Sequence, residues 1–185
     1  MNISETPLRD AYVIDIAKIE DQRGFFARIF CTEEMEAFGM QTGIVQMNLS
    51  HNLRKGVVRG MHYQIEPAPE AKLMRCIRGA IYDVIIDMRP ASPTYLQWFG
   101  VELTAENRRA LYVPPMFAHG YQALTDGAEV IYPTTGVYTP ACERGVRHDD
   151  PAIGIGWPIP PTEISEKDRT WPLISVPVHA GAGLV

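Results

Sequence analysis

In Gly56-Val-Val-Arg59-Gly60-Met-His62-Tyr63-Gln64 a histidine follows an arginine by three residues, inside a run that otherwise reads as an apolar strand. Histidine is the side chain whose ordinary pKa lies nearest neutral pH, which makes His62 a first candidate for moving protons. A charged group and a titratable group in a strand need a cavity or a partner, because burying either alone is expensive. The segment suits a hydrogen-bonded core histidine beside a surface arginine equally well. Lys72-Leu-Met-Arg75-Cys-Ile-Arg78 alternates basic and apolar residues, as a solvated sheet face does, with a lysine at its very start. A second histidine, His119, follows the double proline in Tyr112-Val-Pro-Pro-Met-Phe-Ala-His119-Gly-Tyr121. A loop pinned by prolines holds a side chain at a fixed angle, in a site or at a plain sheet corner. Tyr132 and Tyr138 flank Pro133-Thr-Thr-Gly136, read here as a break in the strand. A phenol can protonate a carbanion, stack on a base, or merely pack. Ser165-Glu-Lys-Asp168 fits a helix start of the capping-box kind. It fits equally an acid that reaches a histidine and fixes its tautomer, and spacing leaves both open.

Other chemistries find less support. A metal site in a β-barrel of this size needs three or four converging His or carboxylate ligands, commonly as His-x-His. Here Gln64 stands two after His62, only His119 offers a partner, and His51, His148 and His179 lie in turn-like or tail contexts. No metal is therefore expected. There is no Gly-x-Ser-x-Gly and no cysteine near a histidine, which argues against nucleophilic hydrolysis. What remains is a set of bases, phenols, a lysine and arginines, suited to proton transfer beside a carbonyl on an anionic substrate.

The elements that position these groups are mostly strands. At 185 residues, 46% hydrophobic and 21% charged, the sequence reads as one globular domain spanning 1–185. A net charge of −5 without a basic block argues against nucleic acid as a partner. No apolar run reaches membrane-spanning length, and the first residues lack a signal-peptide pattern. Three widely spaced cysteines, Cys31, Cys76 and Cys142, read as reduced thiols, so a cytoplasmic chain is expected. Val-, Ile-, Tyr- and Phe-rich runs closed by turn residues predict strands over 12–19, 24–30, 43–49, 56–64, 72–78, 80–87, 95–103, 110–114, 118–124 and 128–133, with further segments at 136–139 and 153–157. Arg78-Gly79 and Ala105-Glu-Asn107 read as hairpin turns. A helix is expected over 32–39 with Thr32 as its cap, and another from Ser165. The proline-rich last third suggests an irregular tail wrapped on the core. Many short antiparallel strands predict an all-β jelly-roll barrel or sandwich with a few short peripheral helices.

From about residue 7 to 173 the chain resembles the dTDP-4-dehydrorhamnose 3,5-epimerase family of cupins. The matching pieces are Asp21-Gln-Arg23-Gly24-Phe25-Phe26, Gln46-Met-Asn48-Leu-Ser50, Gly56-Val-Val-Arg59-Gly-Met-His62-Tyr-Gln64, Lys72-Leu73, Ser92-Pro93-Thr94, Leu103-Thr-Ala-Glu-Asn107, Phe117-Ala-His119-Gly120, Tyr132, Tyr138-Thr-Pro140, Asp149-Asp-Pro151 and Ser165-Glu-Lys-Asp168. The resemblance implies a metal-free, cofactor-free homodimeric cupin acting on nucleotide-diphosphate-linked 4-keto-6-deoxyhexoses at C3, C5 or both. By motif it implies His62 as base, Asp168 as its partner, Tyr132 as acid, and Lys72 beside the C4 oxygen with His119 nearby. It implies Arg23, Phe26, Arg28, Gln46, Asn48, Arg59 and Tyr138 as substrate-binding residues.

Three places depart from that pattern. Arg28 stands where dTDP-type members commonly carry glutamate, Pro133 where many carry lysine, and Arg147-His148 where an arginine-tryptophan or similar pair is usual. Arg28 is expected to bring positive charge to the nucleotide end of the site. The departures leave open a single-centre epimerase on a different nucleotide sugar. Two further alternatives are a sugar-nucleotide isomerase or dehydratase on the same fold, and a non-catalytic binding module. Arg59 and His62 fall on opposite faces under strict alternation, so a bulge is predicted at Gly60.

Overall fold

The computed structural model describes residues 1–175. Its strands are β1 (Asn2–Glu5), β2 (Tyr12–Asp15), β3 (Lys18–Asp21), β4 (Gly24–Ala27), β5 (Gln46–Asn52), β6 (Val57–Gln64), β7 (Lys72–Arg78), β8 (Ala80–Asp87), β9 (Trp98–Thr104), β10 (Ala110–Val113), β11 (Phe117–Ala123), β12 (Ala128–Thr134), β13 (Glu143–Gly145) and β14 (Glu163–Ile164). Two short helices, α1 (Thr32–Glu36) and α2 (Glu166–Arg169), lie at the periphery. One six-stranded sheet runs β1-β2-β10-β7-β12-β5. The other runs β13-β6-β11-β8-β9, with β14 parallel to the start of β6. A separate β3–β4 hairpin stands beside them. The jelly-roll expectation holds.

Alternation explains the layers. Ile81 and Ile85 of β8 and Phe117, Tyr121 and Ala123 of β11 point between the sheets, meeting Met74, Leu111, Val113 and Val130 of the facing sheet. The intervening residues Val84, Ile86 and Ala118 point outward, where Val146, Ile153 and Trp157 of the proline-rich segment cover them. The wrapped tail is thus real over the described residues, and it gives the second sheet an apolar cover on its outer face.

Several local expectations are corrected. The stretch 12–19 divides into β2 and the start of β3, which belong to different sheets. Arg78-Gly79 and Ala105–Asn107 are turns, but neither closes a hairpin. β7 and β10 lie in one sheet and β8 and β9 in the other, so both turns are corners where the chain changes layer. Thr32 is the first helical residue of α1, and Cys31 occupies the cap without a side-chain bond. Residues 136–139 and 153–157 form no strand, whereas Asn2–Glu5 does. Pro133 does not break β12, which continues to Thr134 and pairs Pro133 with Met47 of β5. His51 lies within β5 rather than in a turn. His179 lies outside the described residues.

Candidate active site

β6 aims the first histidine. His62 pairs with His119 of β11, while Arg59 pairs with Tyr121. Three steps along β6 therefore match two along β11, the predicted bulge at Gly60. The extra residue cancels the alternation, so Arg59 and His62 both face the interior cavity. Gly60 adopts a φ of +114°, and a Cβ there would meet Gly120 Cα at 2.6 Å. Only two glycines let the strands close at this point.

His62 Nε2 lies 2.5 Å from Asp168 Oδ1, and the Gly60 N–H donates to Asp168 Oδ2 at 3.2 Å. Burial would raise the Asp168 carboxyl, yet the bonds from His62 and Gly60 outweigh it and hold the group below the ordinary carboxylate value. An ionised carboxylate only accepts hydrogen bonds, so the Nε2 nitrogen carries the proton and Nδ1 the lone pair. Ser165 caps α2 through the Asp168 N–H at 3.1 Å. Both readings of that segment are realised: the serine caps the helix, and the acid is free to reach the histidine.

A second pair stands deeper. His119 Nε2 meets Asp83 Oδ1 at 2.8 Å, and Asp83 is fully buried with its other oxygen unpartnered among the described residues. Burial pushes the Asp83 carboxyl upward, opposed by His119 and by the charge of Lys72. Asp83 went unremarked in the sequence, although an acid at the inward phase of Ile81-Tyr-Asp83-Val-Ile85 is a readable signal.

The facing sheet supplies the other wall. Tyr132 lies in β12 between Ile131 and Pro133, whose register partners on β5 are Leu49 and Met47. Tyr132 itself points inward, beside Gln46, Asn48 and Lys72. Burial raises its phenol, with the neighbourhood of Tyr121 and Glu70 adding to the effect, so at neutral pH Tyr132 holds its proton. His62 and Tyr132 stand where two cavities join, one of about 530 Å³ and one of about 280 Å³. The larger holds Arg59, whose guanidinium donates to Asn52 Oδ1 at 2.8 Å and His51 O at 3.1 Å. The smaller holds Tyr138, whose hydroxyl donates to Glu143 at 2.9 Å. Lys167 bridges to the same Glu143 at 2.6 Å.

Not every expected residue gathers here. Arg23, Phe26 and Arg28 sit on or just after the exposed β3–β4 hairpin and line neither cavity. Arg23 pairs with Asp21, and Arg28 with Glu34 of α1. The charge expected of Arg28 at the site is thus, within one chain, a neutralised surface pair. Glu143, Lys167, Asn52 and Glu70 join the site without having been foreseen. No three His, Cys, Asp or Glu side chains cluster as a metal site among the described residues.

The arrangement is a histidine and a tyrosine on opposing sheets, with a lysine lining the same cavity. Residues 5–175 match the family model described as dTDP-4-dehydrorhamnose 3,5-epimerase. The chain belongs to this family. The epimerase of Shigella flexneri carrying that description is 42% identical over 169 residues, 91% of this chain and 93% of that one. The crystal structure of the Bacillus anthracis enzyme, with TDP and PPi bound, superposes with a TM-score of 0.89 at 38% identity, covering 94% of this chain and 99% of that one. A Streptomyces niveus relative described as a dTDP-4-dehydrorhamnose 3-epimerase is 39% identical over 87% of this chain and 78% of its own length. As a member of the epimerase family the protein is an isomerase, and its sheets are those of the cupin jelly roll. No helix among the described residues is long and apolar enough to cross a membrane.

Proposed function

We propose that this epimerase inverts C3 and C5 of a dTDP-linked 4-keto-6-deoxyhexose, with His62 as base and Tyr132 as acid. The observation that carries the reading is that these two side chains rise from opposite sheets and line the same pair of cavities. A sugar ring held between them meets a base on one face and a proton donor on the other, as inversion requires. The proton on the carbon beside the ketone passes to His62 Nδ1. The electron pair left behind moves onto the C4 oxygen, where the Lys72 ammonium stabilises the enolate. The Tyr132 phenol then protonates the carbon from the opposite side. Asp168 keeps the imidazole in its working tautomer and stabilises the imidazolium that forms. Arg59 binds the diphosphate with a fork already oriented by Asn52. Gln46, Asn48, His119 and Tyr138 position the sugar and nucleotide.

The protein works as a cytoplasmic homodimer of one-domain chains. Met47 and Leu49 are 60% and 64% exposed on the outer face of β5, beside Pro133 and Ile131. A contiguous apolar sheet face of this kind marks an interface. Ile19 and Phe26 of the hairpin are each 70% exposed. A second copy accounts for both features, and it brings Arg23, Phe26 and Arg28 to a site that they do not reach in their own chain. The three unpaired cysteines suit a reducing compartment.

The deciding experiment is incubation of dTDP-4-keto-6-deoxyglucose with the enzyme in D2O, followed by NMR. Deuterium is expected at both C3 and C5. H62N is expected to lose exchange at both carbons while still binding dTDP by calorimetry. Exchange by H62N at the unaltered rate removes His62 as the base. Deuterium at C3 alone identifies the single-centre reaction for which the Streptomyces niveus relative is described.

A further inference from the structure

Glu70, two residues before the start of β7, has no part in the steps above. Its Oε1 lies 3.2 Å from Lys72 Nζ, and the two side chains are only 9% and 10% exposed. Both line the smaller cavity with His62 and Tyr132. Acids this buried are rarely solvated surface charges; they are paired to some purpose.

The segment that carries Glu70 is pinned. The Gln64 side-chain amide donates to Ala68 O at 3.0 Å and to Val137 O at 3.3 Å. The Ala71 N–H donates to Thr135 Oγ1 at 2.9 Å, and the Thr135 N–H to Ala71 O at 3.0 Å. Gly136 packs against the same loop so closely that a Cβ there would stand 3.0 Å from Glu70 Cβ. The backbone that carries the carboxylate is held from both sides.

A lysine ammonium has three N–H donors. Among the described residues two of them find protein acceptors, Glu70 Oε1 at 3.2 Å and the His62 carbonyl at 3.4 Å. Two fixed legs of a tripod set the direction of the third, which is left for an oxygen in the cavity. The other titratable groups around Lys72 come from different strands: Asp83 from β8, His119 from β11, His62 from β6 and Tyr132 from β12. Among the described residues Asp83 lies beyond ion-pair distance of Nζ, and none of the three rings is hydrogen-bonded to it.

We propose that Glu70 is a positioning residue that aims the Lys72 ammonium at the carbonyl oxygen of the substrate and supplies its counter-charge. A flexible four-carbon stem without that anchor sweeps a cone of directions, and a misplacement of about 1 Å at a reacting group costs up to roughly 100-fold in rate. The inference rests on the reading of Lys72 as the group that stabilises the enolate.

The test is a double-mutant cycle read by steady-state kinetics, with dTDP affinity measured separately. E70A is expected to lower kcat about tenfold to a hundredfold and to leave dTDP affinity unchanged. E70Q, which keeps an acceptor but no charge, falls between E70A and wild type, and E70D restores part of the loss. In a K72A background, E70A is expected to cost nothing more, because its effect passes through the lysine. Wild-type kcat in E70A, or a full additional loss in the double variant, overturns the Glu70 inference while leaving the reading of Lys72 standing. Wild-type kcat in K72A overturns the reading of Lys72 and the Glu70 inference with it. Melting curves accompany each variant; where E70A does not fold, the isosteric E70Q carries the cycle, with the same outcomes.

Discussion

A buried acid behind a histidine does two jobs, and Asp168 lets them be measured apart. The His62 and Gly60 bonds hold its carboxyl below the ordinary value of 3.8 despite burial. A carboxyl lowered in the fold adds stability that is fully present above its unfolded value and is lost as pH falls through the folded one. Replacing Asp168 with Asn removes that contribution and leaves one polar contact poorly matched, at a cost of about 1–3 kcal/mol. For a chain of this size that is roughly 2–12 °C in Tm. D168N is therefore expected to melt lower at neutral pH and to show a flatter fall in Tm below about pH 4 than the wild type. A parallel fall in both proteins would mean that other carboxylates dominate acid unfolding. Activity is expected to drop by more than stability suggests, on the order of 10²–10⁴ in kcat, because the imidazole loses its tautomer.

At the scale of the strand, the bulge at Gly60 matters more than any single contact, since it turns His62 and Arg59 to one side. A Cβ at Gly60 collides with the backbone of Gly120, which cannot rotate away as a side chain would. G60A also forces a non-glycine residue into the positive-φ region, at about 1–3 kcal/mol before the collision is counted. Urea melts are expected to show that loss, and the exchange assay a larger fall in kcat as His62 swings off line. G43A is the control, because nothing lies within 4 Å of its added carbon and its stability is expected to stay within about 0.5 kcal/mol. An unchanged kcat in G60A would dissociate the bulge from the aim of His62. Other elements show how a corner differs from a hairpin. Gly79 was readable as a turn because a glycine at positive φ is a local property. Which strand follows into which sheet is a long-range choice, made here by β7 pairing with β10 and β12.

For the molecule as a whole, the open question is where Arg23 acts. It is 89% exposed, pairs among the described residues only with Asp21 two residues away, and does not line its own chain's cavities. If it serves the site of a symmetry-related copy, mixing inactive R23A and H62N subunits creates heterodimers with one intact site. Random reassortment is then expected to restore about a quarter of wild-type activity. No recovery from an inactive R23A would place Arg23 in its own chain's site, and wild-type activity in R23A alone would place it outside catalysis. Light scattering is expected to give twice the chain mass, and L49K, on the outward face of β5, to shift it toward the monomer.

The division between what was legible and what was not follows the range of the interactions. Strand periodicity, the glycine of the bulge, and the identities of His62, Lys72, Tyr132 and Asp168 are properties of short windows, and all could be read from residue order. Residue order alone thus carries the sheet-rich class and the proton-moving inventory. The partnership of His62 with Asp168 joins residues 106 apart, and that of His119 with Asp83 residues 36 apart. Such pairs are set by which distant element lies beside which, β8 beside β11 and α2 beside β6, and no local pattern encodes that. It takes the packed fold to set Asp83 behind His119 and Glu70 in the cavity, and to hold Arg23, Phe26 and Arg28 out of it. The reason is physical: a side chain's type is fixed where it is written, but the dielectric, the partners and the direction that give it chemistry come from whichever distant strand packs against it.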